Sequence, residues 1–123
     1  MKTDLQEIQS TLHNILKTHS SHLRIRRDDD KVFEVAGTFP TMQGKQKVDG
    51  FYFASVMPKP KDIRLYYFPI YTHADQFSIS PELRKALKGK SCFHIKKLSP
   101  EMEAEITQMV AKGVELYHKD GLI

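Results

Sequence analysis

The hydrophobic period of this chain changes twice, and that restricts its fold more than any other feature. Through residues 3–18, Leu5, Ile8, Leu12, Ile15 and Leu16 recur at spacings that put them on one face of a predicted helix. Thr3 and Gln6 stand at capping-box spacing, and Asp4 falls in the first turn, where the helix dipole favours an anion. From residue 22 the period drops to two. Leu23 and Ile25 alternate with Arg24 and Arg26 in a strand over 22–27, and Phe33 and Val35 share one side of a second strand over 31–39. The run Asp28-Asp29-Asp30 between them reads as a turn, because short carboxylates bond locally to the backbone.

Pro40 to Lys47 is a polar connection containing Gly44. Long strands over 48–57 and 62–71 flank Pro58-Lys59-Pro60-Lys61, a turn whose prolines lack ladder donors. The short connections predict a four-strand antiparallel meander. Ser80-Pro81 starts a short helix, with Ser as N-cap and Pro at the first helical position, and Gly89 stops it. A fifth strand spans 90–97, with Phe93 and Ile95 on one side and Cys92, His94 and Lys96 on the other. Ser99-Pro100 then restores the helical period through Met102, Ile106, Met109, Val110, Gly113 and Tyr117, and Gly121 follows the helix end. The predicted order is α-β-β-β-β-α-β-α. The expected fold is therefore α+β: a five-stranded, mainly antiparallel sheet with N- and C-terminal helices on one face.

At 123 residues the chain makes a single domain over 1–123. Forty per cent apolar content argues against disorder. The single Cys92 cannot close an intrachain disulfide, which excludes a disulfide-stapled secreted scaffold. No apolar run approaches the roughly 20 residues of a membrane span, and residues 1–20 hold no signal-peptide core. The expectation is a cytoplasmic protein without membrane contact. Nineteen basic against fifteen acidic residues give +4, a slight preference for acidic partners.

Alternation assigns Leu23, Ile25, Phe33, Val35, Ile63, Leu65, Phe93 and Ile95 to the helix-covered side. The opposite side receives Arg24, Arg26, Arg64, Tyr66, Phe68, Cys92, His94 and Lys96, together with Tyr52. Basic groups among aromatics can stack a planar ligand or follow phosphates, so this is the candidate site for an anionic ligand or nucleic acid. Large aromatics are more commonly packing residues, and Tyr66 and Phe68 also suit burial under the short helix or a homodimer interface. The element order does not match an RNA-recognition motif.

Cys92 and His94 share a strand face, but two ligands are too few for zinc. An enzyme built on this pair is the remotest reading, since nothing nearby orients the histidine. A small buried thiol is the plainer account of Cys92. Asp28, Asp29 and Asp30 can offer oxygen ligands to a hard cation such as iron, although a solvated hairpin turn is the stronger reading of them. There is no phosphate loop, nucleophile elbow or nucleotide fingerprint.

Several segments taken together resemble the YdhG-like domain of unknown function. They are Gly50-Phe51-Tyr52-Phe53-Ala54, Leu65 to Tyr71, Ser80-Pro81-Glu82-Leu83, Gly89 to Lys97, and Tyr117 to Ile123. The resemblance runs from about Arg24 onward and is most specific over Gly89–Lys97. It implies a small bacterial cytosolic protein with a frataxin-like fold. One branch of the family is regarded as an intracellular iron chaperone, so the resemblance also implies weak iron binding without a required cofactor. The acidic ridge on the first helix of frataxins has little counterpart here, where that helix offers only Asp4 and Glu7.

Overall fold

The computed structural model describes residues 1–123. Helix α1 spans Leu5–Lys17 and helix α4 spans Pro100–Lys119. Between them lie strands β1 (Arg24–Asp28), β2 (Phe33–Ala36), β3 (Thr41–Gln43), β4 (Gln46–Val48), β5 (Tyr52–Pro58), β6 (Ile63–Tyr67), β7 (Leu87–Lys88) and β8 (Cys92–Ile95). Two short helices, α2 (Pro69–Thr72) and α3 (Pro81–Ala86), link β6 to β7. The fold is α+β, with an antiparallel six-stranded sheet in the order β1-β2-β5-β6-β8-β7.

The meander over 22–71 forms as the alternation requires, through β1, β2, β5 and β6. Three details of the predicted order change. Residues 41–48 are a separate two-stranded hairpin, β3-β4, turned at Gly44 with φ +62°. The strand expected to run to Tyr71 stops at Tyr67, because Phe68 adopts helical angles and Pro69 begins α2. Gly89, with φ +66°, turns the β7–β8 hairpin and does not end a helix, which stops earlier at Ala86.

Helix α1 is capped by Asp4, whose carboxylate accepts the Glu7 amide at 3.2 Å; Thr3 is not the cap. Its Ile8, Leu12 and Leu16 are buried with Ile106, Met109, Val110 and Tyr117 of α4. Leu5 and Ile15 are half-buried at the margin. Phe33, Val35, Phe53, Val56, Leu65, Phe93 and Ile95 supply the sheet side of the same core. In register, Val35 lies beside Ala54 and Ala54 beside Tyr67. The Tyr67 hydroxyl donates to the Met109 carbonyl of α4 at 2.6 Å, which fixes this as the helix-covered face.

Ile25 departs from expectation and is 41% exposed. It sits on the edge strand β1, whereas α1 lies over β5 and β6. The β1–β2 register also slips between Ile25 and Arg27, so Arg26 is an inserted residue and simple alternation fails there. No helix is long and apolar enough to cross a membrane.

Candidate functional site

The uncovered face is organised around β6 and β8. In register, Tyr66 lies opposite Cys92 and Arg64 opposite His94, while Ser55 of β5 flanks Tyr66 and Lys88 of β7 flanks Cys92. Alternation therefore brings four of the expected residues together, but the face divides into two ends with different chemistry.

At the β1–β5 end the polar and aromatic groups are mutually engaged. Arg26 donates to Asp49 at 2.8 Å and to the Gly50 carbonyl, and its other terminal nitrogen lies 3.8 Å from Glu34. Arg24 is exposed and reaches only the Thr38 carbonyl at 3.4 Å. The Tyr52 hydroxyl bonds the buried Ser55 hydroxyl, and burial holds its proton well above the ordinary phenolic range. Phe68 packs against Phe51, Tyr52 and Tyr71, with centroids 5.5, 5.6 and 5.8 Å away. Phe68 is thus a packing residue beside α2, and these groups offer no open stacking platform.

The β6–β8 end is different. Asp62, just before β6, has a side chain only 8% exposed, and it accepts the Arg64 Nε at 3.0 Å. Its other oxygen lies 3.7 Å from His94 Nδ1. Around this buried carboxylate two depressions adjoin, sharing Asp62 and Lys96. The larger, of about 480 Å³, is also lined by Lys85, Lys88, His94 and Lys97; the smaller, of about 320 Å³, by Lys59, Lys61 and Arg64. All six lysines are exposed and none has a carboxylate within 4.0 Å. Burial and the cationic neighbours Arg64, Lys88 and Lys96 hold the His94 pKa below its ordinary value, against the opposing pull of Asp62.

Of these lysines, alternation along the strands singled out only Lys96. The signal for the others was local composition. Residues 84–97 hold Arg84, Lys85, Lys88, Lys90, Lys96 and Lys97 with no acid, and Lys59 and Lys61 bracket Pro60. Folding brings these two basic segments together because β6 pairs with β8.

Cys92 is half-buried on the open face and is not a core thiol. Burial pushes its pKa up, only partly opposed by Tyr66 and Arg64, which disfavours the thiolate a nucleophile requires. The acidic turn does not gather its carboxylates. Asp29 accepts the Lys31 and Val32 amides at 2.8 and 2.9 Å and pairs with Arg27 at 3.1 Å, while Asp28 lies 3.7 Å from His13 of α1. The Asp30 backbone carbonyl accepts from Gln9. Nowhere do three His, Cys, Asp or Glu side chains converge in a way that could hold a metal ion. The arrangement Asp28, Asp29 and Asp30 would need for iron is therefore not present, because the turn commits the Asp29 carboxylate to backbone amides and Arg27 and sets Asp28 beside His13. Comparison with protein-family models, curated proteins and solved structures finds no match.

Proposed function

We propose that this chain is a binding domain that holds an anionic ligand, such as a stretch of single-stranded nucleic acid, at the lysine-rich end of its open sheet face. Kinship with the YdhG-like domains is proposed alongside it, on the segments between Gly50 and Ile123 alone. One observation carries the reading: Lys59, Lys61, Lys85, Lys88, Lys96 and Lys97 converge on two adjoining depressions without acid partners. Like charges brought together by folding repel one another, and an anion relieves that repulsion. The flexible ammonium groups can follow a phosphate backbone, while the Asp62 pair keeps Arg64 fixed at the rim. Tyr66, half-buried two residues along β6, adds an aromatic edge to the same face.

The test is titration with a single-stranded oligonucleotide at several salt concentrations. Lys61→Glu with Lys96→Glu should weaken binding and flatten the log–log salt dependence by roughly 1.4, the share of two single-strand phosphate contacts. Lys45→Glu with Lys47→Glu changes net charge equally on the exposed β3–β4 hairpin and should leave most of the affinity. Equal losses from both pairs would reduce the effect to net charge and defeat the site.

A further inference from the structure

Among the side chains of the lysine-rich depression, which Met1 at the chain start also lines, His94 is the one whose charge ordinarily changes near neutral pH. Its Nδ1 stands 3.7 Å from Asp62, beyond hydrogen-bonding distance, so the proton state of the ring is not locked by that carboxylate. The groups facing it are mostly cationic. Arg64 lies across from it in register on β6, and Lys88 and Lys96 act on it from β7 and its own strand. Lys85 and Glu82 reach the same depression from α3, with Lys97 beyond β8 and Met1, which carries the amino-terminal nitrogen, on another wall. Glu82 is drawn away to Ser99, whose hydroxyl donates to it at 3.2 Å. Without an anion, therefore, adding a proton to His94 adds one more positive charge to an already positive field. An anion seated among the lysines reverses that field at the ring.

We propose that anion binding in this depression is coupled to protonation of His94, so that the site grips its ligand more tightly as the pH falls. The proposal rests on the reading of the depression as an anion site. Linkage makes the coupling reciprocal: whatever factor the bound anion adds to the proton affinity of the ring, the proton adds to the affinity for the anion. Arg64 cannot serve this role, because it stays charged and is committed to Asp62 at 3.0 Å. His94 thus converts a permanently basic surface into one whose strength follows pH.

The probe is an oligothymidylate of about twelve nucleotides with hydroxyl ends, long enough to cover one small domain and free of groups that titrate near neutrality. Calorimetric titration at low salt, near pH 5.5 and near pH 8, in buffers of different ionisation enthalpy, measures affinity and proton uptake together. The wild-type chain should bind at least about fivefold more tightly at the lower pH and take up a fraction of a proton. His94→Gln should match the wild type near pH 8 and lose most of the pH dependence. His94→Lys, with a fixed charge, should bind near pH 8 about as tightly as the wild type does near pH 5.5. A pH dependence that survives in His94→Gln overturns the coupling while leaving the anion site standing. Failure of the wild-type chain to bind at either pH overturns both.

Discussion

A single missing side chain governs the tightest contact between helix and sheet. Gly113 lies on α4 where the Tyr67 hydroxyl passes to reach the Met109 carbonyl, and a Cβ built there would stand 2.0 Å from that hydroxyl. Tyr67 is fully buried, so it has nowhere to swing. Alanine would normally strengthen a helix by roughly 1 kcal/mol over glycine. Here the overpacking cost of about 1–3 kcal/mol, with the loss of a buried hydrogen bond, outweighs that gain. Gly113→Ala should therefore destabilise the protein by about 2 kcal/mol in urea denaturation. Tyr67→Phe removes the clashing oxygen and leaves a ring carbon 3.0 Å away. The double variant should be more stable than the sum of the single effects, and simple additivity would show that the hydroxyl is not the obstruction. At the sequence level Gly113 reads only as a small residue on the apolar face of a helix, because nothing local reveals that a tyrosine from a distant strand needs its space.

Short elements show best where sequence reading succeeds and where it stops. Both Ser-Pro helix starts were legible, because N-capping depends on neighbouring residues alone: Ser80 accepts the Leu83 amide and Ser99 the Met102 amide, each at 3.1 Å. The link between those two caps was not legible. The Ser80 amide and hydroxyl both donate to Glu105 of α4, at 2.7 and 2.6 Å, while Ser99 donates to Glu82 of α3. From spacing alone, Glu105 is merely an acid near the positive end of a helix. In the fold it ties α3, and with it Lys85 and the wall of the depression, to α4. Glu105→Ala leaves the Ser80 amide without its acceptor and should cost about 1 kcal/mol, at the low end because the site is only half-buried. Amide exchange should quicken across residues 81–86 while the middle of α4 keeps its protection; uniform acceleration would show that the two helices open as one unit. Strand β6 fails differently. Aromatic alternation carries the eye through Phe68 to Tyr71, yet Pro69 was already the signal for a helix start. Likewise β3 and β4, three residues each, are too short and polar to register as a period.

On the scale of the whole molecule, what matters is where the charge of +4 resides and what folding does to the groups near it. Asp49 is paired with Arg26 and Asp29 with Arg27, whereas the lysines of the β6–β8 end stay unpaired. The general character of the face was readable from alternation, but its division into an engaged end and an open end depends on partners distant in sequence. Folding also sets the pH response. His94 is held below its ordinary pKa by burial and then by Arg64, and His19 by burial and then by His22. Both histidines are therefore harder to protonate in the folded chain than in the unfolded one. As the pH falls through about 6.5 the unfolded chain takes up protons first, so stability declines until the folded-state pKa values are reached. A second loss of opposite origin follows. Asp29 is held low by the Val32 and Lys31 amides and by Arg27, and Asp49 by Arg26, so their support exists above the unfolded value of 3.8 and disappears below it. Denaturation measured from neutral to acid pH should thus fall in two stages. His94→Gln should reduce the first and leave the second unchanged. A saturating polyanion should do the same to the first stage, because it restores proton affinity to the folded ring; an undiminished first stage in both experiments would remove His94 from the pH response.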